Sequence, residues 1–176
     1  NEEGCRKVFE FGRKIGVETF ISEPPPESLD VIERFCDEYD INLAIHNHGP
    51  DQSPVYWKPE NILELCKGRS QRIGACPDTG YWIRAGVDPI QGIRTLGDRL
   101  ITIQPHDLSE LSAEGHDVPW GTGKAEFRKL LEELHRLGIQ PTLLGLEYSH
   151  DYLDNMPEMA ESIEFFNRAT REMAGQ

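Results

Sequence analysis

The chain has 176 residues, 18 basic and 31 acidic, giving a formal net charge of −13, with 38% apolar and 28% charged residues. That is enough chain for one domain with a sizeable core, and the charge repels a phosphate backbone, so nucleic acid is not an expected partner. No apolar run approaches the ~20 residues of a membrane span, and Asn1-Glu2-Glu3-Gly4 lacks the basic-then-apolar order of a secretory signal, so a soluble, cytoplasmic protein with no membrane contact is expected.

In residues 2–15, Cys5, Val8, Phe9, Phe11, Gly12 and Ile15 fall near a helical period, and Gly16 stands where a helix stops. Residues 17–22 read as a strand, broken by Pro24-Pro25-Pro26. Leu29, Ile32, Phe35 and Cys36 then recur at helical spacing up to Tyr39, ahead of a strand over 42–48. The alternation continues with a helix over 59–66, a strand over 73–79, a helix over 89–96 and a strand over 100–108. After a Gly-rich loop, Phe127, Leu130, Leu131, Leu134 and Leu137 define an amphipathic helix closed by Gly138; a strand over 142–149 and a helix over 157–173 complete the chain. Cys5, Cys36, Cys66 and Cys76 are spaced too widely for a metal knuckle and read as reduced core residues.

Five strands alternating with helices predict right-handed crossovers and a parallel sheet, either open and doubly wound or part of a (β/α)8 barrel. After the first strand an open nucleotide-binding sheet would carry a glycine-rich fingerprint, whereas this chain reads Ser22-Glu23-Pro24-Pro25-Pro26, which favours the barrel. A full barrel needs about 250 residues, so residues 1–176 are expected to form a single domain holding about five of eight βα units. Five strands cannot close, and the sequence opens inside a helix without a methionine. Truncation of a longer protein is therefore expected, with a homo-oligomer that covers the open edges as the alternative.

Polar residues gather at the carboxyl ends of these strands: Glu23, His46-Asn47-His48, Asp78, Gln104-Pro105-His106-Asp107 and Glu147. In a barrel this is the face that carries active sites. Strand alternation puts His46 with His48, and Gln104 with His106, on common faces. One such histidine is commonly a hydrogen-bonded scaffold residue, but successive strand ends offering imidazole and carboxylate point to a site for Mn²⁺, Co²⁺, Mg²⁺ or Zn²⁺. Such an ion polarises a carbonyl or hydroxyl while a neighbouring carboxylate moves a proton.

Six segments resemble the sugar phosphate isomerase/epimerase family, whose members have xylose-isomerase-like barrels. They are Leu43-Ala44-Ile45-His46-Asn47-His48-Gly49-Pro50, Gly74-Ala75-Cys76-Pro77-Asp78-Thr79-Gly80, Arg84-Ala85-Gly86-Val87-Asp88-Pro89, Leu96-Gly97-Asp98-Arg99, Val118-Pro119-Trp120-Gly121-Thr122-Gly123 and Leu146-Glu147-Tyr148. The resemblance implies the last five strands of the barrel, a divalent metal held from four of them, and isomerisation or epimerisation of a sugar, sugar phosphate or keto-polyol through an enediolate. It implies metal ligands at His46, Asp78 and Glu147, with Glu147 also an acid/base; in the expected mechanism Glu147, or His48 beside it, serves as the base. Two positions depart from the family pattern. Gln104 stands at the ligand-histidine position and His106 two residues on, so either Gln104 completes the ligands or His106 reaches in as ligand or catalytic group; Tyr81 stands where a histidine is expected.

For the substrate, Tyr81 and Trp82 with Trp57 are expected to form an apolar wall. Arg84 is expected to hold a phosphate or carboxylate or else to pair with Asp88, and His116 and Asp117 to line the entrance. The loop 118–123 reads as a turn over the rim, with an anion cradle as the alternative, and residues 51–56 as a lid. Two further functions share these residues: a metal-dependent lyase or hydrolase acting on an oxidised glycoside, and a catalytically silent sugar- or metal-binding domain.

Overall fold

The side chain of Asn1 opens the first helix by accepting the Gly4 N–H, and α1 (Glu2–Ile15) ends where Gly16 turns left-handed at φ 78°. Glycine adopts that conformation without penalty from a Cβ. The structure, a computed structural model, describes residues 1–175. Strands β1 (Thr19–Ser22), β2 (Asn42–His46) and β3 (Ile73–Cys76) pair in parallel in that order, with α2 (Leu29–Tyr39) and α3 (Pro59–Cys66) as crossovers. Single bridges Ala75↔Leu100 and Asp78↔Gln104 carry the ladder on to β4 (Thr102–Ile103), which pairs in parallel with β5 (Leu143–Leu144). The result is an arc of five parallel strands that does not close, as expected for part of a (β/α)8 barrel.

All four residues of β3 are buried, as befits a parallel strand covered on both faces. The core packs Phe9, Phe35, Ile62, Ile93 and Leu130 from the helices against Leu43, Ile45, Ile73 and Ile103 of the arc. Gly74 lets the Arg99 segment approach, since a Cβ there would lie 2.2 Å from the Arg99 carbonyl oxygen. Cys36, Cys66 and Cys76 are buried and Cys5 half-buried, all with free thiols. No helix among the described residues is long and apolar enough to cross a membrane.

Four strands end earlier than their sequence pattern predicts, the one expected over 42–48 at His46. The strand expected over 73–79 stops at Cys76 because Asp78 instead caps α4 (Thr79–Arg84), accepting the Tyr81 N–H. The strands expected over 100–108 and 142–149 shrink to two residues each. Pro105 has no N–H to give to a ladder, and the backbones of Asp107 and Leu108 pair instead with Val118 and Asp117 of the following loop.

Two helices, α5 (Pro89–Leu96) and α6 (Phe127–Arg136), pack on the arc, and α7 (Met156–Ala174) closes the chain with Phe165 and Phe166 against Trp120 and Phe127. Trp120 stacks on Phe127 at 4.5 Å, and its backbone N–H donates to Ser162 Oγ. Asp107 organises this loop. Its buried carboxylate accepts from Gly121 N (2.8 Å), Gly123 N (3.0 Å) and Ala125 N (3.0 Å), so the N–H groups that an anion cradle would need are already satisfied. Asp107→Ala strands three donors and is expected to cost about 2–4 kcal/mol, with Asp107→Asn intermediate, read from denaturant midpoints. A loss under about 0.5 kcal/mol would show that water replaces the carboxylate.

Candidate metal centre at the strand ends

β2 and β3 are in register at their ends, His46 opposite Cys76. Just beyond them Asn47 locks the two together: its Nδ2 donates to the Asp78 carbonyl (3.1 Å) and its Oδ1 accepts the Asp78 N–H (2.9 Å). The Asp78 side chain is thus delivered by a backbone fixed on both sides. It is 1% exposed, with Oδ1 on the Tyr81 N–H and Oδ2 3.7 Å from His46 Nε2 and 3.3 Å from His106 Nε2. Burial favours the neutral acid, but the two imidazoles and the Tyr81 N–H outweigh it and hold Asp78 well below the usual carboxylate range.

Glu147, exposed beyond β5, brings a carboxylate oxygen into a group with Asp78 and a His46 nitrogen whose members all lie within 4.8 Å of one another. Gln104, paired with Asp78 across the ladder, has its Oε1 buried with no hydrogen-bond partner. An unmatched buried acceptor is costly unless something coordinates it. One imidazole nitrogen, two carboxylates and an amide oxygen form a mixed N/O donor set that fits a divalent cation.

His106 takes a different part from the one the strand pattern suggests. It is 5% exposed; Nδ1 lies 2.6 Å from Asp117 Oδ1, and Nε2 is at ion-pair distance from Asp78 without the alignment of a hydrogen bond. Burial opposes its charge, but the two carboxylates outweigh it and raise its pKa to about 10, making it an imidazolium between two anions. Both nitrogens face carboxylates, so it positions Asp78 and is not placed as a free ligand or base. Asp117 is likewise 2% exposed; its Oδ2 accepts from Ser149 N (2.9 Å) and Oγ (2.6 Å). Burial works against its charge too, yet His106 and the Ser149 donors bring its pKa down to about 2.

This network predicts a pH profile for the chelator-treated protein. His106, raised above its unfolded value near 6.5, contributes stability that is complete below about pH 6.5 and is lost as pH rises through about 10. Asp117, depressed, contributes above about pH 4 and loses that contribution as pH falls through about 2. Urea midpoints are therefore expected to decline from pH 6 to pH 10, and Asp117→Asn is expected to flatten that decline.

A second cluster joins β1 to β2. Glu23 Oε1 lies 2.8 Å from His48 Nδ1 and accepts the His48 backbone N–H at 3.0 Å. The His48 ring packs edge-on to His46 (4.7 Å) and to Tyr81 (4.9 Å), which brings Tyr81 beside this cluster. Trp82 is not there: it is fully buried in the core, its ring against Gly92 of α5 where a Cβ would come within 2.4 Å. Arg84 does not pair with Asp88, which caps α5; its Nε donates to the Gly115 carbonyl and its Nη2 stands 3.9 Å from Asp117. His116 is exposed at the rim, against Ser109 Oγ (3.0 Å) and the His150 ring (4.2 Å), while Asp117 is buried behind it. The Asn47 clamp and the Ser149 link to Asp117 carry no local sequence signal, since each joins residues about 30 apart.

A family model described as a xylose isomerase-like TIM barrel matches residues 26–169. A putative uncharacterized protein from Parabacteroides distasonis is 32% identical, with a TM-score of 0.70 over 96% of this chain and 65% of its own. The D-allulose 3-epimerase from Methylomonas sp. has a TM-score of 0.75 over 96% of this chain and 68% of its own; at 13% identity that likeness shows the fold alone. Uncharacterized protein y4fM of Sinorhizobium fredii is 28% identical over 100 residues, 54% of this chain and 30% of that protein. The chain thus spans less than a third of that curated relative and just under two thirds of the Parabacteroides protein.

Proposed function

Since the chain belongs to the xylose isomerase-like TIM barrel family, we propose that it serves a divalent-metal-dependent sugar isomerase or epimerase, with residues 1–176 as one partial barrel domain. Sugar epimerases are among the solved structures that share the fold. The observation that carries the reading is the convergence of His46, Asp78 and Glu147, whose candidate ligand atoms lie within 4.8 Å of one another, with the unpartnered, buried Oε1 of Gln104 on the neighbouring strand end as a fourth donor. These four would hold the ion. A divalent cation bound there supplies Lewis-acid polarisation of a substrate carbonyl or adjacent hydroxyl.

The protein's own groups carry the remaining work. Asp78 is kept anionic and oriented by His106 and the Asn47 clamp. Glu147, exposed at the mouth, exchanges a proton with one face of the carbon next to the carbonyl. Tyr81 and His48 border the same opening and offer hydrogen bonds to hydroxyl groups of a neutral sugar. Incubation with Mn²⁺ or Co²⁺ and a panel of free and phosphorylated ketoses in D2O is expected to wash deuterium into one carbon, followed by NMR. Uptake of the ion without exchange into any of these sugars would favour the silent binding domain, to which Gln104 and Tyr81, in place of histidines, are suited.

A further inference from the structure

We infer that Glu23 is a positioning residue that holds His48 as a second proton-transfer group, acting on the same sugar as Glu147; this rests on the epimerase reading above. Inverting a carbon requires a proton to leave one face and another to arrive on the opposite face. One fixed carboxylate serves one face, and His46 is assigned to the cation. His48 is the group left over, and its surroundings are built for the task.

A carboxylate only accepts, so the 2.8 Å contact to Glu23 Oε1 places the proton of neutral His48 on Nδ1. The same oxygen takes the His48 backbone N–H, fixing ring and main chain together. Nε2 has no protein partner among the described residues and keeps its lone pair for a ligand. The ring is steadied by its edge contacts to His46 and Tyr81. Candidate ligand atoms of Glu23, His46 and His48 lie within 4.8 Å of one another, as do those of His46, Asp78 and Glu147, so His48 and Glu147 are both neighbours of His46. In the step, the C–H bond breaks toward His48 Nε2 and its electron pair moves through the carbon–carbon bond onto the carbonyl oxygen. The Glu147 carboxyl then gives a proton to the other face as the pair returns, and exchange with water resets both groups.

The test has two arms. Long-range ¹H–¹⁵N spectra of the wild-type protein are expected to show the Nδ1–H tautomer; Glu23→Ala should lose it and Glu23→Gln, which keeps an accepting oxygen, should retain it. An Nε2–H tautomer in the wild type, or a resolved ¹¹³Cd–¹⁵N coupling at a His48 nitrogen with added ¹¹³Cd²⁺, would overturn the inference, the second by making His48 a cation ligand. In the other arm, deuterium wash-in is followed separately from each member of an epimer pair such as D-fructose and D-allulose, with other ketohexose and ketopentose pairs alongside. Glu23→Ala and His48→Gln are expected to lose about 100-fold with one epimer and little with the other, and Glu147→Gln the reverse. Wild-type exchange with symmetric losses in these variants overturns the dyad alone. Absence of wild-type exchange overturns the epimerase reading and the dyad's catalytic role together, and the tautomer then reports whether the Glu23 contact itself is real.

Discussion

Glu147→Gln is expected to lower sugar interconversion by about 100-fold or more without weakening the fold. Glu147 is exposed beyond β5 and takes part in no protein hydrogen bond or ion pair among the described residues, so its loss removes no internal support. The amide keeps an oxygen that can contact a cation, so affinity for Mn²⁺, read by calorimetry, falls less than turnover. What the amide cannot do is take a proton and return it. Near wild-type conversion would remove Glu147 from the mechanism, and loss of the ion in step with activity would reduce it to a ligand.

Asp78→Ala is expected to have the largest combined effect: abolition of stoichiometric cation uptake, disappearance of the cation-induced rise in Tm, and a loss of about 3–5 kcal/mol in the chelator-treated protein. The last figure reflects what stays behind. His106 would be left buried between one carboxylate and an empty space, and α4 would lose the cap on the Tyr81 N–H. Asp78→Asn separates these contributions, because the amide oxygen still caps the helix while the anion is gone. The Asn47 clamp binds only the Asp78 main chain, so the backbone is expected to hold its course in both variants, checked by unchanged far-UV circular dichroism. Full cation uptake by Asp78→Ala would overturn the site.

The helices were legible because their signals are local. Pro59 and Pro89 stand in the first turns of α3 and α5, and Gly16 terminates α1, as their residue types dictate. The short α4 escaped because Asp78 reads equally well as a strand-end ligand and as a helix cap, and it is both. That helix also undid the aromatic wall: successive helical residues point about 100° apart, so Tyr81 reaches the mouth while Trp82 turns into the core. At the site, His46, Asp78, Gln104 and Glu147 could be picked out by their places at strand ends. The burial of His106 could not, because it depends on Asp117, which comes back to it from the following loop.

Asp117 divides its carboxylate, one oxygen serving His106 behind Asp78 and the other serving Ser149, two residues past Glu147. The segment that follows β5 and the buried anion of the cation seat are therefore tied to a single group. On the proposed function, a sugar that drew the Glu147 segment inward and a cation that drew on Asp78 would act on the same tether from its two ends, and such coupling is reciprocal: whatever factor one ligand adds to the affinity of the other, it receives in return.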